Sequence, residues 1–91
     1  NTKITSIPDN LQVGEFLDLS YTKITSLPDN LKIGENLFIN DTPLTSLPDN
    51  LQVGGLLDLE NTPLAEEYSE KEIRKIIEDK GGYVKGKINV G

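Results

Sequence analysis

The sequence predicts an α/β-type repeat solenoid: a short arc of about three repeats, a parallel concave sheet of about four strands and one C-terminal capping helix. Three observations predict it. Apolar residues recur with a period of twenty between Ile4 and Leu64. Each period contains a short apolar/polar alternation of strand type. After Leu64 a segment with helix start and stop signals intervenes, and then the alternation returns.

The period is read by stacking "TKITSIPDNLQVGEFLDLSY", "TKITSLPDNLKIGENLFIND" and "TPLTSLPDNLQVGGLLDLEN". Aliphatic columns follow: Ile4, Ile24, Leu44 and Leu64; Ile7, Leu27 and Leu47; Leu11, Leu31 and Leu51. Val13, Ile33 and Val53 form another, as do Leu17, Leu37 and Leu57, then Leu19, Ile39 and Leu59. One repeat cannot bury its own apolar face, so stacking must build the core. Residues 1–64 are therefore read as the repeats and 65–91 as the cap, with its helix at about 69–80 and its strand at about 87–90.

The segments "LDLSYTKI", "LFINDTPL" and "LDLENTPL" resemble the leucine-rich repeat, Leu-x-x-Leu-x-Leu-x-x-Asn-x-Leu. The length is similar to the short twenty-residue class of secreted bacterial effectors. The Leu-Pro-Asp-Asn-Leu-x-Val-Gly core also resembles repeats in bacterial and phage proteins. Two positions depart from the pattern. Gly14, Gly34 and Gly54 stand where the first leucine belongs, and Thr22, Thr42 and Thr62 stand where the asparagine ladder belongs, with Thr2 in phase. A hydroxyl makes fewer bonds than an amide, so a thinner ladder is expected.

The resemblance implies parallel strands near 16–20, 36–40 and 56–60 on the concave face. Alternation sends Leu17 and Leu19 inward and Phe16, Asp18 and Ser20 outward. The equivalent outward sets are Asn36, Phe38 and Asn40, then Leu56, Asp58 and Glu60. "LPDNLQV" is expected to be the convex return, since Pro, Asp and Asn suit turns.

In "YSEKEIRKIIEDKGG", Ser69 and Glu72 have capping-box spacing, and Tyr68 and Ile73 have staple spacing. Ile73, Ile76 and Ile77 share a face, Glu70 and Arg74 are a favourable i,i+4 pair, and Gly81 is a stop. "VKGKINV" at 84–90 then aligns with "VGGLLDL" at 53–59, an offset of 31. The last unit is thus an enlarged repeat whose strand joins the sheet, with Lys87 and Asn89 outward. Lys87 is expected beside the acidic outward set of the previous strand. The helix is read as a cap over the last rung.

The chain enters at "NTKIT", inside a repeat. The first rung is therefore expected to be incomplete, with Ile4 and Ile7 near an open end. An unpaired edge there invites another chain, either earlier repeats of a longer parent or a second copy.

Composition narrows the chemistry. The 91 residues contain no Cys, His, Met or Trp, which excludes disulfides, thiol nucleophiles and His-dependent triads. No apolar run approaches the roughly 20 residues that span a bilayer. Net charge is −6 and lies in residues 1–64, with three bases and nine acids (3 − 9 = −6). Nucleic acid and anionic membranes are poor partners for such a surface, and a protein with a basic or neutral surface is a better one.

Three further constellations bring chemistry-bearing residues together. Asp9, Asp29 and Asp49 form a carboxylate column that reads as turn chemistry rather than a cation stripe. Asp18 and Asp58 lie two rungs apart, in range of a glycosidase pair, but an open sheet offers nothing to raise one pKa. Asn40-Asp41-Thr42 fits the N-glycosylation pattern, although Thr42 is expected to point inward. The expectation is a non-catalytic binding scaffold without cofactor or metal. It would recognise a protein, with a glycan as second choice, through Phe16, Asp18, Asn36, Phe38, Asn40, Leu56, Asp58, Glu60 and Lys87. The alternative is a spacer or assembly module joined through the N-terminal edge.

Overall fold

The computed structural model describes residues 7–91. The positions of Thr2 and Ile4 lie outside them. Each repeat contributes two short strands. These are β1 Gln12–Val13 and β2 Leu17–Asp18, β3 Lys32–Ile33 and β4 Leu37–Phe38, then β5 Gln52–Val53 and β6 Leu57–Asp58. Helices α1 (Pro63–Glu67) and α2 (Glu70–Asp79) follow, then β7 Tyr83–Val84 and β8 Ile88–Asn89. Two parallel four-stranded sheets result: sheet I in the order β1-β3-β5-β7, and sheet II in the order β2-β4-β6-β8.

Register follows the sequence period. Leu17 pairs with Leu37 and Leu37 with Leu57. Leu57 pairs with Ile88 and Val53 with Val84, which realises the offset of 31. In sheet II the ladder runs past the short strands, since Leu19 N donates to Phe38 O at 2.7 Å and Tyr21 N to Asn40 O at 3.2 Å.

Sheet I corrects the expectation for "LPDNLQV". Only its Pro-Asp-Asn part turns, with Asn10, Asn30 and Asn50 left-handed at φ 62°, 64° and 57°. The residues after it pair as strands. Gln12, Lys32 and Gln52 alternate with inward Val13, Ile33 and Val53, and stacked copies supply the backbone partners. Between the two sheets the chain bends at the glycine column. A Cβ on Gly34 would meet the backbone of Gly14, and one on Gly54 the backbone of Gly34. Neither glycine has a positive φ, so close approach is what demands them.

The core is the set of inward columns. Leu31, Leu37, Ile39, Leu51, Val53, Leu57 and Leu59 are fully buried, and Ile73 and Ile77 of α2 join them. The threonine column also lies inside. Thr22, Thr42 and Thr62 donate to Leu19 O, Ile39 O and Leu59 O at 2.7–2.8 Å. Each hydroxyl closes only on its own repeat, so this column is thin in the expected sense. A true inter-rung ladder stands elsewhere: Asn50 Nδ2 donates to Asn30 Oδ1 at 2.9 Å, and Asn30 Nδ2 to Asn10 Oδ1 at 3.0 Å.

Two helices replace the single one expected. Thr62 explains the first. Its hydroxyl accepts from Ala65 N at 3.1 Å while donating to Leu59 O, and Pro63 takes the first helical position. In the repeat before, Thr45 N instead donates to Thr25 O at 3.1 Å, keeping that segment on its neighbour. Ala65, Glu66 and Glu67 favour helix where Thr45 and Ser46 do not. Helix α2 begins with the full Ser69/Glu72 capping box. It ends in a Schellman motif, with Gly82 N on Ile77 O at 2.9 Å, Gly81 N on Glu78 O at 3.0 Å, and Gly81 at φ 85°. Gly81 thereby occupies the left-handed column of Asn10, Asn30 and Asn50.

Candidate functional site

The outward face of sheet II carries the candidate residues. Phe16 is 56% exposed, and its ring meets Phe38 edge-on, with centroids 6.4 Å apart and planes at 70°. The register explains the contact. Phe38 lies opposite Asp18, so Phe16 sits diagonal to it across one strand pair. Phe38 also lies opposite Asp58, which puts half-buried Leu56 on the other diagonal. The three apolar side chains thus form a chevron across three rungs, with Phe38 two residues further along its strand than Phe16 and Leu56.

The polar candidates around them are mostly engaged in holding the backbone. Asp18 accepts from Ser20 N at 3.0 Å and from the Ser20 hydroxyl. These bonds hold its carboxyl below the usual carboxylate range. Asp58 accepts from Glu60 N at 3.1 Å and from Asn89 Nδ2 at 3.2 Å. Asn89 repeats the motif on Gly91 N at 3.2 Å. Asn36 Oδ1 accepts from Leu56 N at 2.9 Å, fastening the next rung, and Asn40 Nδ2 donates to Asp41 at 2.9 Å. Glu60 and Lys87 are exposed. Lys87 stands in register with Leu56, and Asn89 rather than Lys87 meets the acidic set at Asp58. None of the ion pairs among the described residues includes Lys87.

Two features beside this face escaped the sequence reading. Tyr21 is 67% exposed and left-handed at φ 60°, in a column continued by Asp41 and Asn61. Asn61 Nδ2 donates to Asp41 Oδ1 at 2.8 Å. Hydrogen bonds from Asn40, Asn61 and Tyr21 hold the Asp41 carboxyl low, and the Asp41 charge pushes the Tyr21 phenol up. The available signal was a tyrosine in a column that otherwise takes Asp and Asn, the residues that tolerate this conformation. The second feature is a groove of about 390 Å³ on sheet I, floored by Gly14 and Gly34 and walled by Gln12, Lys32, Gln52 and Tyr83. Tyr83 also lies beneath Lys85, whose Nζ is 5.8 Å from the ring centre. The Gln-Val and Lys-Ile alternation would have revealed this face.

In the Asp9, Asp29 and Asp49 column, the last two carboxylates are engaged within the stack. Asp29 Oδ1 accepts from Asp49 N at 3.0 Å, and Asp49 lies 3.7 Å from Lys80, which takes the column's next position. No cluster of three metal-ligating side chains occurs among the described residues. At the glycosylation-like triplet, Thr42 is buried. No helix among the described residues is long and apolar enough to cross a membrane. Comparison with protein-family models, curated proteins and solved structures returned no match.

Proposed function

We propose that the chain is a leucine-rich-repeat solenoid acting as a non-catalytic recognition scaffold, with the outward face of sheet II as its binding surface. The partner is a protein with a basic or neutral surface, and a glycan is the second choice. The observation that carries this reading is the edge-on Phe16–Phe38 pair, continued by Leu56. Aromatic side chains supply large contact area and dominate interface energetics. Here they stand on paired strands whose ends are tied by Asp18 and Asp58, so little order is lost on binding.

A catalytic role for the two aspartates fits less well. A general acid needs a raised pKa, and Asp18 is shifted the other way. Asn36 and Asn40 become supports in this reading, while Glu60, Lys87 and Tyr21 form its polar rim. A second reading, assembly through the N-terminal edge, draws on burial. Ile7, Leu11, Val13 and Leu17 are only half-buried, whereas the same columns one rung on are at most 7% exposed.

Affinity capture with paired variants tests the main reading. Partners held by the wild type should be lost by Phe16→Ala/Phe38→Ala and kept by Gln52→Ala, which alters sheet I alone. Equal retention by both variants would sink the assignment of this face.

A further inference from the structure

Each strand of sheet I sends one polar side chain away from the core, and the register lines these side chains up. Gln12 pairs with Lys32, Lys32 with Gln52, and Gln52 with Tyr83. Adjacent strands lie about 4.8 Å apart, so the column is roughly 14 Å long. Two residues along, on the same side, Gly14 and Gly34 carry no side chain, and the missing bulk leaves the groove of about 390 Å³. The glycine column ends at Lys85, whose amide donates to Val53 O at 3.0 Å as Gly54 N does to Ile33 O at 2.8 Å. The groove runs along the stacking direction on the face of the sheet, so it depends on no rung being the first.

The polar groups on this face differ from those on sheet II in being unengaged. Asp18, Asp58 and Asn36 give their hydrogen bonds to backbone amides. Among the described residues, Gln12 and Lys32 have no side-chain hydrogen bond and no ion pair, and Gln52 has one long contact, from the Tyr83 hydroxyl at 3.5 Å. The backbone beneath is nevertheless fixed. It pairs from rung to rung, and at the last rung Arg74 of α2 donates from Nη1 to Val84 O at 2.6 Å and from Nη2 to Gly86 O at 2.8 Å. A guanidinium is a rigid planar fork of donors, so the strand that carries Tyr83 is held in place. Little backbone order is lost when a ligand lands on such a face.

The chemistry of the column selects the ligand. An amide offers donors and an acceptor, an ammonium three donors, and a phenol one of each. Hydroxyls that both donate and accept match that set. Tyr83 adds an aromatic surface at the end of the groove, against which the C–H face of a sugar ring packs. Charge disfavours the ionic alternatives. Lys32 and Lys85 stand on this face, but Glu15 and Glu35 follow the glycines and Asp29 and Asp49 precede the strands, so neither a polyanion nor a polycation meets a surface of opposite sign. A protein would find no aliphatic anchor, since Ile33 and Val53 belong to the core.

We propose that the outward face of sheet I is a carbohydrate site for a neutral, extended, β-linked oligosaccharide, with Gln12, Lys32 and Gln52 on its hydroxyls and Tyr83 against one ring. This surface is separate from the outward face of sheet II and stands or falls independently of it.

NMR titration of the isotope-labelled chain with cellotetraose and with N-acetylchitotetraose tests this. Saturable shifts should appear at Lys32, Gln52, Tyr83 and the Gln side-chain amides, with a dissociation constant of about 1 mM or below for at least one of the two. Tyr83→Leu keeps the bulk and removes the ring, and should weaken binding roughly tenfold; Gln52→Ala should weaken it about threefold or more. Each variant is first checked for wild-type spectral dispersion. Maltotetraose, which coils, and tetragalacturonate, which is charged, should bind the wild type at least about tenfold more weakly, and they decide the matter if a variant does not fold. No saturable shift with either probe, shifts centred on Phe16 and Phe38, or equal binding of maltotetraose or tetragalacturonate overturns the proposal. So does loss of captured protein partners by Tyr83→Leu, which would make sheet I a protein surface.

Discussion

The first and last rungs of the two sheets are built from the same columns and end in different states. In the last rung Val84 and Ile88 are 4% and 1% exposed, because α2 packs on β7 and β8 and its Ile73 and Ile77 join the same core. In the first rung Val13 and Leu17, their register equivalents, are half-buried. The same aliphatic pattern thus yields a core only where something covers it. The difference teaches that the cap contributes both apolar area and a surrogate for the missing hydrogen bonds, and that these come from different faces of one ten-residue helix.

The comparison breaks most readily in the core. Ile88→Ala should cost about 2–5 kcal/mol, the usual range for a fully buried aliphatic. Leu17→Ala should cost roughly half as much, since part of its surface is already wet. Urea denaturation of both variants measures the gap, and equal losses would mean that the first rung is as well covered as the last.

Next come the glycines. Gly34→Ala should destabilise by about 1–3 kcal/mol, because the new methyl meets the Gly14 backbone. Gly14→Ala should be close to neutral, since no described residue lies within 4 Å of the added group. A thermal melt of the pair sharpens the distinction between an inner rung and an outer one.

Ser69→Ala removes the capping box of α2 and should cost about 1 kcal/mol. The loss should appear in faster hydrogen exchange of Tyr83 to Gly86 before any other segment, because α2 packs on β7 and β8.

The smallest effect is on pH dependence. Asp18 and Asp41 are both held below the unfolded value of about 3.9. A depressed carboxyl contributes stability above that value and loses it as pH falls through the folded one. Acid unfolding should therefore shift to slightly higher pH in Asp41→Asn. In the same variant the Tyr21 phenol should return toward the ordinary value of about 10, read by NMR titration.

Much of this architecture was legible in the sequence. The twenty-residue columns fixed the inward set, and the offset of 31 placed Val84 on Val53 and Ile88 on Leu57. Sheet I was harder to see because its strands are two residues long and follow turn residues directly. Propensity favoured the turn, and only stacking made Gln12-Val13 a strand. Helix α1 was missed for a similar reason: Thr62 repeats Thr22 and Thr42, and its change of role depends on Ala65 three residues later. The aromatic pair on sheet II was visible as outward positions, but the Phe16–Phe38 contact needed the register. The engagement of Asp18, Asp58 and Asn36 with backbone amides, and the fork of Arg74, are tertiary facts with no local signature.

Residue-resolved amide hydrogen exchange of the native protein tests the central claim, four rungs held in one register by backbone hydrogen bonds. Lys85 and Gly86 should exchange as slowly as Gly34, Glu35, Gly54 and Gly55, whose amides donate to the rung before. Fast exchange at Lys85 and Gly86 would contradict the account.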